Sequence, residues 1–348
     1  MSELDPALER FQRSAPEYGP GLANHGPMVC EAQAALGHEA LIPAYVERYA
    51  PRLPPFVPGR PIPAAERAAA LGRPERAADW IASYDEALRE RPWREVLAEA
   101  AAGLVPGLFA SATHGWLRSA HAARSLAAED SPLRRRELAH GLGLWAARYQ
   151  ELPGRPGSHP AGRAPRLADL PALPGAARRP GLFFDAVKAL AGHRPFAAWV
   201  EGLELGGADP LTLAGAACHE AAQLYLQHPG QRVAYAHTIT AASALRLVAP
   251  HLPGPLLRAL LGHALQAAGA LHAVSFAPGP VVPAERAAAE RLAGDLAEIG
   301  YRAACSLDDN AVKLSEACLR EDAAAPDPGL RLAAADAALH LGGPQRSC

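Results

Sequence analysis

The chain has 348 residues, which is enough for one large or two ordinary domains with a sizeable buried core. Its formal net charge of -2 offers no basic surface of the kind that nucleic acids attract, so we expect no nucleic-acid partner. Gly, Pro, Arg or His interrupts every apolar stretch well short of about 18 residues, so we expect no membrane span.

The cysteines indicate a reducing compartment. They are odd in number, and the closest two are too far apart in sequence for the usual zinc-ligand pairing. The five are Cys30, Cys218, Cys305, Cys318 and Cys348. The first residues are acidic and polar and do not resemble a signal peptide. We therefore expect a cytoplasmic protein without a disulfide framework.

Apolar residues recur at intervals of three and four along most of the chain, and β-branched residues are sparse, which predicts helices. Many of the predicted helices begin with Pro, whose ring fits the first helical turn. In chain order the predicted helices span 75–90, 112–127, 132–149, 210–227, 232–248, 255–274, 283–299 and 311–320, with a further C-terminal helix and tail in 323–348. The prediction is an all-α fold: a single compact multi-helix domain over residues 1–348.

One segment interrupts this pattern. Residues 152–180 are rich in Pro, Gly and Arg and show no helical periodicity. Such a segment is either a linker between two halves or a long loop over a helical core. We favour the loop, because candidate histidines lie on both sides of it. A long loop in a compact domain often covers or lines a binding site.

Candidate metal ligands begin at His25, which directly precedes a helix predicted to start near Pro27. The positive end of a helix dipole favours the neutral imidazole, which is the form that binds a metal. A plain helix-capping role remains the alternative reading.

A second cluster lies on the predicted helix 112–127. His114 and His121 are seven residues apart, so they share a helix face at a backbone separation of about 10.5 Å. That distance makes it difficult for both to bind one ion. Arg118 and Arg124 flank them and can pair with carboxylates or hold an anionic substrate oxygen.

Two further histidines lie in helical patterns. His219 stands in a Cys-His-Glu motif that superficially resembles HExxH, but position 223 is Gln, so a zincin-type site is not supported. His237 lies in an apolar helical stretch, where a buried structural histidine is the usual alternative to a ligand. The other histidines are interpreted as surface or loop residues: His38, His140, His159, His193, His228, His251, His263, His272 and His340.

Lysine usage singles out Lys313. Only Lys188 and Lys313 are lysines among 34 basic residues. A buried lysine can lose its proton and then act as a base, a nucleophile or, after reaction with CO2, an oxygen ligand, none of which arginine can do. GC-rich coding would also produce a low lysine count, so the count alone decides nothing. Neutral imidazoles with one carbamate oxygen suit iron(II), with manganese or zinc as alternatives.

The motifs in this order resemble the questin oxidase-like family, over roughly residues 15–322. The runs that carry the resemblance are NHGPMVCEAQAALG, RPWREVL, HGWLRSAHAARSL, ELAHGLGLWAARYQELPG, AYAHTITAASALRLVAPHLP and DDNAVKLSEACLRED. Each run is weak alone, and together they are specific.

The resemblance implies a metal-dependent oxygenase or oxidoreductase of secondary metabolism. Such an enzyme uses O2 to oxidise or cleave a polycyclic aromatic or quinone polyketide, in a reaction described as Baeyer–Villiger-like. It also implies a mononuclear non-heme iron held by histidines and a carboxylated lysine, with NADPH as a candidate external reductant. The matching positions are His25, His121, His237 and Lys313, and less closely His219 and His114.

Catalytic roles are expected for His114, Arg118 and Tyr235, and substrate contacts for Trp116, Tyr225, Tyr235 and the loop 152–180. Asn310 stands where relatives often carry a histidine, so either its oxygen or His219 would complete the ligand set. The alternatives are a non-catalytic helical binding protein and a metal-dependent hydrolase, which also uses carbamylated lysine with histidine.

Overall fold

A computed structural model describes residues 2–162, 166–175, 181–276 and 280–341 of the chain. The chain divides into two compact units. The first comprises Met1–Glu151 with Leu247–Leu256, and the second comprises Leu152–Arg246 with Leu257–Cys348. The expectation of one domain over the whole chain stays a prediction.

The all-α prediction is confirmed. Among the described residues the strands are β1 (Glu17–Tyr18) and β2 (Leu22–Ala23), which pair antiparallel. No helix in the described part of the chain is long and apolar enough to cross a membrane.

The α-helices before residue 151 are α1 Leu4–Gln12, α2 Gly26–Ala35, α3 Ile42–Tyr49, α4 Arg67–Ala70, α5 Ala77–Glu90, α6 Trp93–Leu104, α7 His114–Ala128 and α8 Pro132–Ala147. Those that follow are α9 Phe183–Ala186, α10 Arg194–Glu201, α11 Pro210–Gln227, α12 Arg232–Ser243, α13 Leu245–Val248, α14 Gly254–Ser275, α15 Pro283–Leu292, α16 Leu296–Ser306, α17 Asp309–Ala324 and α18 Pro328–His340. Short 3-10 turns lie at Glu39–Leu41, Ala50–Arg52, Ala64–Glu66, Pro74–Arg76, Val105–Gly107, Leu167–Asp169, Val187–Gly192, Pro229–Gln231 and Ala249–His251.

In the first unit, α7 packs closely on α8 and also contacts α2. Gly115 permits the close approach of α7 and α8, because a Cβ there would lie 2.5 Å from the Trp145 Cα. Trp116 and Trp145 meet edge to face, with ring centroids 5.6 Å apart. Both indoles are fully buried, so Trp116 belongs to the core of this unit. Its expected contact with substrate is not supported.

In the second unit, α11, α12, α17 and α18 pack around one apolar core. Aspartates start three of these helices by accepting backbone N–H bonds, which satisfies donors that a helix leaves open. Within the core, the Asp336 carboxylate accepts bonds from the Arg232 Nε at 2.7 Å and the Tyr225 hydroxyl at 2.8 Å. The Tyr225 hydroxyl is thus engaged by Asp336 in the core, and its expected contact with substrate stays a prediction.

The segment 152–180 contains a 3-10 turn but no α-helix in its described residues, 152–162 and 166–175. Residues 163–165 and 176–180 lie outside the described part. The Gln266 amide donates to three successive carbonyls, at 3.1 Å to Leu152, 3.0 Å to Pro153 and 2.9 Å to Gly154. Three leucines of the segment are buried: Leu167, Leu170 and Leu173. Side chains and backbone therefore hold its described parts against the rest of the second unit.

The predicted helix 283–299 is wrong in one respect, because it is two helices, α15 and α16. The break falls at Asp295, whose side chain accepts from the Glu298 N–H and starts α16. Helical periodicity continued across this cap in the sequence and concealed the break.

Candidate functional site

The structure distributes the predicted site residues over both units. His25, His114, Arg118 and His121 lie in the first unit, and His219, Tyr235, His237 and Lys313 lie in the second.

In the first unit, His25 and His114 stand together at the start of α2 and α7. His25 is the residue before α2, as the sequence predicts, and His114 is the first residue of α7. Their rings stack with centroids 4.5 Å apart. The His114 Nδ1 lies 2.5 Å from the Ser111 carbonyl oxygen. Since a carbonyl only accepts, Nδ1 carries a proton, and in the neutral imidazole Nε2 carries the lone pair.

A left-handed turn places His114. Ser111, Ala112 and Thr113 all have positive φ, at 51°, 53° and 74°. This conformation costs an L-residue about 1–2 kcal/mol, and three such residues in succession are unusual. The Ser111 hydroxyl is 3.2 Å from a Glu17 carboxylate oxygen, which helps to hold the turn. The sequence contains no glycine here, so its patterns gave no sign of this turn.

His121 lies two turns further along α7, next to Glu31 on α2. Its Nδ1 is 2.6 Å from the Glu31 carboxylate, and the Arg124 Nε is 2.6 Å from the other oxygen. Burial alone would raise the pKa of Glu31, but Arg124 and His121 bring it below its usual value. An ionised carboxylate at Nδ1 leaves Nε2 as the ligand nitrogen, an arrangement common behind metal-bound histidines.

The two histidine positions of the first unit are separate. His25 contacts His114, and Glu31, further along α2, contacts His121, further along α7. Because the two spacings are nearly equal, α2 and α7 run parallel here. His121 therefore lies about 10 Å along the helix from the stacked pair. The structure brings His25 together with His114, whereas His121 is held by Glu31.

Arg118 is almost fully buried and bound to a carboxylate. Its Nε and Nη2 donate to the two Glu137 oxygens at 2.5 Å and 2.9 Å. Burial raises the pKa of Glu137, and Arg118 opposes that rise. A cavity beside this pair and His121 has a volume of about 10 Å³, which is room for one water molecule and not for an organic substrate. The predicted pairing of Arg118 and Arg124 with carboxylates is confirmed.

In the second unit, Lys313 lies on α17 and is only 3% exposed. Burial lowers the pKa of its ammonium to about 8, although Asp309 and Asp308 favour the charged form. Asp308 caps the start of α17 through the backbone N–H groups of Asn310 and Ala311. A substantial fraction of Lys313 is therefore a neutral amine near pH 8.

His237 lies on α12, which packs on α17. It is 5% exposed and meets the Phe183 ring edge to face, with centroids 5.9 Å apart. Its burial is compatible with a metal ligand and with a structural histidine.

Tyr235, on the same helix, forms a buried contact that the sequence analysis missed. Its hydroxyl is 2.9 Å from the His272 Nδ1, and its ring stacks on His228. Burial lowers the pKa of His272 to about 4, so this imidazole is neutral. Its Nδ1 accepts a hydrogen bond from the Tyr235 hydroxyl. Tyr235 is fully buried, and so is His272.

Three histidines interpreted as surface or loop residues are in fact buried: His140, His228 and His272. The interpretation was wrong because it relied on the absence of convergent neighbours in sequence. Their neighbours come from other helices, as Tyr235 does for His272. Burial lowers the pKa of His140 well below its usual value.

His219 lies on the exposed side of α11. The preceding Cys218 faces the core and reaches the Ile239 carbonyl, so His219 points away from that core. Its side chain is 50% exposed, and its Nδ1 forms a hydrogen bond with the Asp327 carboxylate. Asp327 begins α18, 108 residues further along the chain, and nothing in the sequence indicated this pair.

His219 also lines a cavity of the second unit, which we call the α11 pocket. It has a volume of about 470 Å³, within the range of small-molecule sites. The lining residues come from 166–168, α10, α11 and α14, with Leu203 and Glu204. Residues 166–168 of the segment 152–180 thus line this cavity, and the expected contact of the segment with substrate stays a prediction. Neither Tyr235 nor Lys313 is part of the described wall.

No group of three or more His, Cys, Asp and Glu side chains within the described ranges is placed to hold a metal ion. A lysine carbamate is not one of those donors. Convergence of the predicted ligands His25, His121, His219, His237 and Lys313 stays a prediction.

No protein-family model matches the chain, and no curated protein matches it either. The similarity to the questin oxidase-like family therefore depends on the sequence motifs alone, and the activity that it implies enters as a proposal.

Proposed function

We propose that this protein is a metal-dependent oxidoreductase that uses O2 to oxidise or cleave a polycyclic aromatic or quinone-like small molecule. The questin oxidase-like motifs suggest the reaction. The observation that carries the proposal is Lys313, a buried lysine with a pKa of about 8 in a chain that otherwise uses arginine almost everywhere.

The burial of Lys313 favours the neutral amine, which is the form that reacts with CO2. The neutral amine attacks CO2, a new N–C bond forms, and one proton leaves the nitrogen. The product is an anionic carbamate whose oxygen can bind a cation. Burial disfavours the competing ammonium, and arginine cannot replace the lysine because its guanidinium stays charged.

The imidazoles present also fit a metal by their donor chemistry. Glu31 fixes the tautomer of His121, and the Ser111 carbonyl fixes that of His114, so each offers Nε2. We propose Lys313 and His237 of the second unit as donors to one ion. His121 and His25, which lie about 10 Å apart along the helices of the first unit, are separate candidates. A bound iron(II), with manganese or zinc as alternatives, would supply the one-electron chemistry that O2 requires. NADPH remains a candidate reductant.

Metal analysis and oxygen uptake test the proposal. The purified protein should contain about one metal per chain and consume O2 with a hydroxylated anthraquinone. Lys313→Arg and Lys313→Ala should lose both properties, because neither side chain forms a carbamate. Lys188→Arg is the matched control, since Lys188 is exposed and paired with Asp185. Full metal content and oxygen uptake in Lys313→Arg would refute the proposal.

A non-catalytic small-molecule binding protein is the second candidate. The α11 pocket favours it, because a cavity of about 470 Å³ can hold a ligand without any metal. Metal-free protein that binds an aromatic ligand and consumes no O2 would establish this alternative. We also propose a cytoplasmic location, since Cys30, Cys218 and Cys318 are buried thiols outside any disulfide.

A further inference from the structure

We propose that the α11 pocket binds an organic cation, a substituted ammonium ion with apolar substituents, and that Trp199 and Glu204 recognise its charge. The inference goes beyond the proposed function and does not depend on it, because it concerns binding and no reaction.

Trp199 supplies an aromatic surface to the pocket wall. Its indole N–H donates to the Arg166 carbonyl at 3.0 Å, and its ring edge packs on α14 at Gly269, where a Cβ would lie 2.6 Å from the ring. These two contacts fix the ring. No arginine or lysine in the described ranges lies over its face. The face of an indole attracts a cation more strongly than any other side-chain ring, so this wall favours a positively charged ligand.

Glu204 adds a carboxylate to the same wall. Its Oε1 accepts from the Gly206 N–H at 3.0 Å, which holds the side chain in the segment after α10. Within the described part of the chain, no Lys, Arg or His side chain forms an ion pair with it. Arg258 donates to the Leu205 and Ala208 carbonyls and does not belong to the described wall. A carboxylate without a counter-ion attracts a cation into the pocket.

The other ionisable groups at the wall form pairs. The Arg166 Nε lies 3.6 Å from a Glu220 carboxylate oxygen, so their charges offset each other. The His219 Nδ1 is bonded to the Asp327 carboxylate, and this pair is neutral or negative whether or not the imidazole is charged. With Glu204 added, the groups at the wall carry net negative charge, which disfavours a carboxylate or phosphate ligand.

The rest of the wall is mostly apolar and selects the substituents of the cation. Its leucines are Leu203, Leu213, Leu224 and Leu265. An inorganic ion would gain nothing from this surface, whereas alkyl groups gain free energy when it buries them. The volume of about 470 Å³ also suits a small molecule and not a single ion. An organic ammonium ion satisfies the aromatic, the charged and the apolar parts of the wall together.

Binding of acetylcholine and of 3,3-dimethylbutyl acetate tests this proposal. The two esters have the same shape, because a carbon atom in the second replaces the charged nitrogen of the first. Titration calorimetry of the full chain in one low-salt buffer measures both dissociation constants. The wild type should bind acetylcholine about tenfold more tightly than the neutral ester, through the indole face and the free carboxylate.

Glu204→Gln removes the charge and keeps an amide oxygen for the Gly206 N–H. It should weaken acetylcholine binding by about two- to fivefold and leave binding of the neutral ester unchanged. The matched control is Glu201→Gln, which removes a carboxylate three residues earlier that pairs with His159 and lies outside the described wall. This variant should bind both esters like the wild type.

Two further variants change the selectivity in opposite directions. Arg166→Gln leaves the carbonyl that orients Trp199 and releases the Glu220 carboxylate, so acetylcholine should bind about twofold more tightly. Such a gain does not arise from damage to the fold, and the Arg166 side chain is 70% exposed. Trp199→Leu should reduce the preference for acetylcholine while the neutral ester still binds, which shows that the pocket persists.

The proposal is wrong if neither ester binds saturably. It is also wrong if the two bind equally, which would establish an apolar pocket without selection for charge. Equal weakening of acetylcholine binding in Glu204→Gln and Glu201→Gln would likewise overturn it, because the effect would then come from the overall charge of the protein.

Discussion

At the residue scale, the two lysines lie in opposite environments. Lys188 is exposed at 67% of its side chain and pairs with Asp185 at 2.7 Å. Lys313 is 3% exposed. Burial disfavours the ammonium form of Lys313 and lowers its pKa to about 8.

We predict that the pH dependence of stability changes in Lys313→Met. The folded pKa of Lys313, about 8, lies below its unfolded value of 10.5, so the unfolded chain holds the proton more tightly between these values. The contribution of Lys313 to the free energy of unfolding therefore rises as the pH goes from about 8 to 10.5, by about 3 kcal/mol in total. Urea unfolding from pH 7 to 10.5 should show this rise in the wild type and not in Lys313→Met.

Lys188→Met is the control and should follow the wild-type curve, because it replaces an exposed side chain and leaves Lys313 in place. A Lys313→Met curve parallel to that of the wild type would show that the folded pKa of Lys313 is near its unfolded value. The basis for its carbamate chemistry would then be lost.

We also predict a large stability loss in Glu137→Gln. The change leaves the Arg118 guanidinium, whose side chain is fully buried, without its counter-charge. Breaking a buried pair from one side costs about 3–5 kcal/mol. The measurement is the free energy of unfolding in urea.

Glu9→Gln is the comparison for this change, since it breaks the Arg13–Glu9 pair, whose side chains are 72% and 60% exposed. An exposed pair contributes less than about 1 kcal/mol. Equal losses in the two variants would show that Arg118 finds other partners or water, and that its burial is not decisive.

At the element scale, the start of α7 depends on the left-handed turn 111–113, because His114 follows it directly. We predict that Ala112→Gly keeps or raises stability. Glycine relieves about 1–2 kcal/mol of strain at a positive φ, against about 0.8 kcal/mol for the lost buried methyl group. Thermal unfolding measures the difference.

Ala102→Gly on α6 is the matched variant, since Ala102 is exposed in an ordinary helix. There the glycine should destabilise by about 1 kcal/mol. A loss at position 112 as large as that at 102 would contradict the left-handed conformation of the turn.

At the scale of the whole molecule, local patterns predicted most of the helices. The predicted helix 210–227 begins with Pro after an Asp cap and agrees closely with α11. The predicted helix 132–149 begins with Pro after a Ser cap and agrees closely with α8. Short helices such as α4 and α9 have too few residues to show a period and were missed.

The candidate site was predictable only where a signal was local. Pro27 predicted that His25 lies just before a helix. The apolar residues around Lys313 in the sequence predicted its burial. The partners of His219 and His121 are Asp327 and Glu31, which lie 108 and 90 residues away. Such pairs arise from tertiary packing, and spacing along one chain does not encode them.

The near-absence of lysine makes a direct test of the carbamate possible on the whole molecule. Among side chains, only Lys188 and Lys313 can form one, and the α-amino group is the third source. We predict that zinc-reconstituted protein in 13C-bicarbonate shows a carbamate 13C resonance that Lys188→Arg retains and Lys313→Arg loses. Zinc is chosen because it is diamagnetic and leaves the resonance sharp. Chelation of the zinc should weaken the signal, because the metal stabilises the anionic carbamate. A resonance that survives Lys313→Arg would come from the α-amino group or Lys188, and Lys313 would then be a buried structural residue.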